Sequence, residues 1–112
     1  MIVNAPFAST ASGNGLKQYR IGDEIPDELR SVAKEKKAMA VFKKIYRRAA
    51  DLERRGDQAA VDAIAYELQP KTKNAKAEKI ATNRFRAIFK RVPKGVADMA
   101  ILRAMTYAGV KK

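Results

Sequence analysis

Apolar residues recur at helical spacing in four blocks of this chain, and glycine or proline stands between each block and the next. That pattern predicts four helices folded against one another. The first block is Ala38, Val41, Phe42, Ile45, Ala49 and Leu52; the second is Val61, Ile64, Ala65 and Leu68. The third is Ala77, Ile80, Ala81, Phe85, Ile88 and Phe89, and the fourth, Val96 to Ala108, is apolar around most of its circumference.

Punctuation residues set the expected boundaries. Pro26 and Asp27 open a first long helix, with Asp27 and Glu28 placed to complement its positive dipole end, and it is expected to reach Arg55. Gly56 then reads as a stop, Asp57 as a new N-cap, Pro70 as the end of the second helix, and Pro93 with Gly95 as the break before the fourth, which Gly109 closes. Residues 8–15 are small and polar and read as a flexible arm, while Leu16–Ile25 reads as a short extended piece lying on the domain. At 112 residues there is room for one domain. The expectation is an all-α fold, a small single domain of about four helices over residues 26–112, behind a flexible or extended N-terminal arm over 1–25. No internal repeat is evident.

Charge points to a partner. The chain carries 24 Lys and Arg against 12 Asp and Glu, a formal +12, and so large an excess is most simply tolerated beside a polyanion. On the first helix the cations fall into two rails, Lys36/Lys43/Arg47/Arg54 and Lys37/Lys44/Arg48/Arg55, each nearly straight at 100° per residue. Asp51 lies between the rails within reach of Arg47, Arg48, Arg54 and Arg55, so the expected free surface is Lys36, Lys37, Lys43 and Lys44, with Arg47 and Arg48 at its edge. The third helix and its connector add Lys71, Lys73, Lys76, Lys79, Arg86 and Lys90, among neutral donors Thr72, Asn74 and Asn83 that suit phosphates or base edges. Arg84 borders the apolar face and is expected to lay its stem on the core.

Other classes fare worse. Without cysteine or histidine there are no disulfides, no zinc sites of the usual ligand types and no histidine-based catalysis. Asp23, Glu24, Asp27 and Glu28 cluster at a helix start, where capping accounts for them, so neither an enzyme nor a bound metal or cofactor is expected. The start lacks a secretory pattern and no stretch is apolar enough to span a bilayer, so the expected location is intracellular, in cytoplasm or nucleoid, or inside a nucleoprotein particle. Neither interhelical connector suits a helix-turn-helix, and aromatic residues are too few for a stacking platform. The expected function is sequence-tolerant binding of nucleic acid, duplex DNA favoured and RNA possible, in a nucleoprotein or phage-type assembly. Residues 96–108 offer an apolar surface for homo-oligomers. The alternative is a small, for example phage-encoded, regulator whose basic ridge covers a host protein or nucleoprotein machine; membrane association ranks below both.

Overall fold

A computed structural model describes residues 16–111. Within them the protein is all-α: a 3-10 turn at Asp27–Leu29 leads to α1 (Val32–Tyr46), α2 (Arg55–Tyr66), α3 (Ala75–Phe89) and α4 (Gly95–Tyr107). The arm expected over residues 8–15 lies outside the described residues.

The long first helix expected from Asp27 to Arg55 is broken at both ends. At its start, Ser31 adopts extended backbone and its hydroxyl accepts the Lys34 N–H at 3.2 Å, a local N-cap that outcompetes continuation of the preceding turn. At its end, Arg47 turns left-handed at φ 62°, and Arg48 swings back to meet Asp57. A helix running on to Arg55 would have held Arg48 on the outer face, away from that carboxylate. Ala49 and Leu52, read as apolar-face residues, are exposed in the loop that follows. Gly56 is not a stop and Asp57 is not an N-cap. Both sit in the first turn of α2, where a Cβ on Gly56 would run into the Gly109 carbonyl.

Helix α2 is the centre of the molecule. Ala59, Ala60, Val61 and Ala63 are buried, and such small side chains let α1 and α4 both pack closely on it. α3 packs on α4 through Phe85, Ala81, Ile101 and Leu102, with Ile45 of α1 joining that cluster. Leu16, Ile21 and Ile25 close the other end of the core, where the Ile21 N–H donates to the Gln69 carbonyl at 2.9 Å. α4 finds most of its cover within the chain, since Ala100, Ile101, Leu102 and Ala104 are all buried. Ile80, by contrast, expected on the core face of α3, is 64% exposed.

The structure overturns one reading outright: the fold contains the same helical hairpin twice. Ser31, Glu35, Lys36, Ala38, Phe42, Ile45, Arg47 and Arg48 recur in constant register as Asn74, Glu78, Lys79, Ala81, Phe85, Ile88, Lys90 and Arg91. Asp57, Ala59, Ala63 and Tyr66 of α2 recur as Asp98, Ala100, Ala104 and Tyr107 of α4. Contacts recur with the residues. The N-cap side chain accepts a first-turn N–H in each, Ser31 from Lys34 and Asn74 from Ala77. Tyr66 donates to Glu35 and accepts the Ser31 N–H; Tyr107 donates to Glu78 and accepts the Asn74 N–H. Because the last residue of each second helix thus touches the start of the first, the two helices of each hairpin run antiparallel. Arg48 and Arg91 pair with Asp57 and Asp98, nine and seven positions on, and lie over the rings of Phe42 and Phe85 at 5.2 Å in both cases. The shorter second connector is one reason the repeat is hard to see in sequence.

Candidate nucleic-acid interface

Lys36, Lys37, Lys43 and Lys44 are all exposed on α1, and Arg47 is exposed at its C-cap. Since α1 stops at Tyr46, the ridge from Lys36 to Arg47 is about 16 Å long, against the about 27 Å of an unbroken rail to Arg54. Arg54 and Arg55 belong to the start of α2 instead. Asp51 reaches Arg54 at 3.7 Å, while Arg48 takes Asp57 as its partner.

Arg48 therefore leaves the predicted site. Its two terminal nitrogens donate to the Asp57 carboxylate at 2.6 and 3.0 Å, and one also donates to the Lys111 carbonyl at 2.7 Å. Lys71 lies 3.4 Å from Asp23 and is partly neutralised. Lys73, Lys76, Lys79, Arg86 and Lys90 are exposed, as is Asn83 between them. On α3 the strip survives whole, because this helix runs unbroken from Ala75 to Phe89 and Lys90 is its C-cap. Arg86 and Lys90, with Asn83, Ala87, Arg91 and Val92, line an open depression at the C-terminal end of α3.

The C-terminal ends of the two basic helices meet. Lys44 Nζ stands 5.5 Å from the centre of the Phe89 ring, and the Arg84 guanidinium stands 5.8 Å from that of Tyr46. Arg84 thus lies on the core as expected, and its stacking on the half-buried Tyr46 takes that ring out of use for bases. Tyr107 spends its hydroxyl on Glu78 and Asn74. What remains is a surface of cations and amide side chains with the chemistry for phosphate oxygens.

Compared with known protein families, curated proteins and solved structures, the chain matches none.

Sequence reasoning missed the arginines that hold the fold. Each of the three buried acids takes one: Arg30 meets Asp62 at 2.9 Å and Glu35 at 3.0 Å, Arg48 meets Asp57, and Arg91 meets Asp98. Gln58 completes the Asp62 site at 2.9 Å. The Arg48 and Arg91 guanidiniums hold the carboxyls of Asp57 and Asp98 below the usual range, helped by backbone N–H groups of Asp51 and Lys94 at 2.8 Å. Burial pushes the Tyr66 phenol up to about 12, and its bond to the Glu35 carboxylate adds to the shift. The available signal was the acidic character of α2 inside a basic chain. Its aspartates serve the protein's own arginines. Among the described residues, no helix is long and apolar enough to cross a membrane.

Proposed function

We propose that the protein binds nucleic acid without sequence preference, through phosphate contacts from the lysines and arginines of α1 and α3, as a non-enzymatic component of a nucleoprotein assembly, duplex DNA being the favoured form. One observation carries the reading. The arginines that hold the fold each have a buried aspartate. Lys36, Lys37, Lys43, Lys44, Arg47, Lys73, Lys76, Lys79, Arg86 and Lys90 have no carboxylate within 4.0 Å among the described residues. Unneutralised cations crowded on two adjoining helices repel one another, and condensed phosphates relieve that cost with release of counterions.

The test is fluorescence anisotropy with duplexes of unrelated sequence. If about six phosphates are neutralised, log K falls with log salt at a slope near about −5, with little difference between sequences. Absence of binding at low salt would sink the proposal. A second reading, a regulator that covers an acidic protein surface, is favoured by the apolar exposure of Ile80 and Val92 beside the basic strip of α3. It predicts instead that duplex binding is confined to low salt, while an acidic protein partner competes it off the ridge.

A further inference from the structure

The residues shared by the two hairpins divide into those that packing demands and those that it does not. Phe42 and Phe85, Arg48 and Arg91, Asp57 and Asp98, and Tyr66 and Tyr107 are tied into the core or into its ion pairs, so their recurrence needs no function. Three exposed positions recur as well, each a cation in both copies. We propose that each hairpin carries one copy of the same three-cation site, Lys36/Lys43/Arg47 and Lys79/Arg86/Lys90, and that the chain grips one phosphodiester backbone at both. This rests on the nucleic-acid reading above and specifies how that reading is carried out.

Geometry makes each triplet a unit. At 100° per residue, its two helical members stay within about 20° of one line along the helix, the third follows at that helix's C-cap, and the whole spans about 16 Å, comparable with about five phosphate steps of one strand. A face kept basic only for solubility has no reason to favour these positions over their neighbours. Yet Lys37 and Lys44 face Ile80 and Ala87 at the corresponding places of the second hairpin, so the second rail is not repeated. The last member of each triplet also sits at φ 62°, a left-handed C-cap where glycine is the easier residue, and both copies put a cation there instead. Since the C-terminal ends of α1 and α3 adjoin, both lines lead to one corner of the molecule. A single small anion would need one such site. Two equal sites suit a polymer that presents the same charge at regular intervals, because the second contact becomes intramolecular.

Two triple variants test this, Lys36→Ala with Lys43→Ala and Arg47→Gly, and Lys79→Ala with Arg86→Ala and Lys90→Gly. Each is measured by anisotropy on a fluorescein-labelled duplex over a salt series, with thermal melts as the folding control. The expected result is a salt slope cut by about half in both variants, losses of affinity that agree within about threefold, and a further fall in slope and affinity when the two are combined. If one triplet abolishes binding and the other is silent, the two-site inference is overturned while the nucleic-acid reading stands. Slopes unchanged in both variants overturn it too, by placing the contact elsewhere. Absence of binding by the unaltered protein overturns both. Amide chemical shifts of the unaltered protein titrated with duplex supply a check free of mutation: Arg47 and Lys90 must both move, and movement of one alone counts against the inference.

Discussion

Among the described residues, three that are not glycine hold left-handed backbone at helix ends, Arg47, Glu67 and Lys90, at φ 62°, 57° and 62°. That conformation brings Cβ against the following carbonyl in any L residue with a side chain, and glycine escapes the penalty. Glycine at any of these caps should therefore stabilise the fold, by about 1 kcal/mol as read from urea midpoints. The caps differ in what else they lose. Glu67→Gly is expected to leave duplex affinity unchanged, whereas Arg47→Gly should gain stability and lose affinity together. Glu67, which carries the same strain outside the basic surface, is the control for the other two.

At the scale of the element, the hairpin is held by a tyrosine that clips the end of its second helix to the start of its first. Tyr66 is buried and Tyr107 is half-buried, so losing the hydroxyl leaves partners that water reaches less easily in the first hairpin. Tyr66→Phe is expected to cost about 1 to 2 kcal/mol in denaturant unfolding and Tyr107→Phe less, because water can replace the lost partner there. These elements also show what was legible. The four helices, the third-helix strip and the core placement of Arg84 follow from local periodicity, and the structure has them, although Ala49, Leu52 and Ile80 of the apolar blocks are exposed. The C-terminal end of α1 does not follow from periodicity, because it depends on Asp57, whose carboxylate draws Arg48 out of helical register from the next element; its start is set locally by the Ser31 cap. No single offset aligns both helices of the two hairpins, 43 positions for the first and 41 for the second, so the repeat has no fixed period in the sequence. On the candidate site, the exposure of the lysines follows from spacing alone. The pairing of Arg48 does not, since only tertiary contact tells a cation that pairs inward from one that faces out.

For the molecule as a whole, pH is the simplest handle on those internal pairs. Asp57 and Asp98 are held below the usual carboxylate range by Arg48 and Arg91. A carboxyl depressed in the folded state binds fewer protons there than in the unfolded chain. The stability each pair adds is therefore complete above about pH 4 and is lost as pH falls through the folded values. Urea midpoints should be level between about pH 5 and 7 and fall in more acid solution; a protein with Asp57→Asn and Asp98→Asn should start lower and fall less. An acid profile unaltered by those two substitutions would remove the pairs from the account.

The two hairpins share a design but not a set of supports. Only the first has Arg30 strung between Glu35 and Asp62, with Gln58 behind it and Leu16, Ile21 and Ile25 laid across its end; in α4, Arg103 stands where α2 has Asp62. The molecule should therefore come apart in a fixed order, with the second hairpin opening while the first persists. Native-state hydrogen exchange measures this directly: amides in the middle of α3 should exchange through a smaller opening free energy than those in the middle of α1, and equal protection would show that the halves unfold as one.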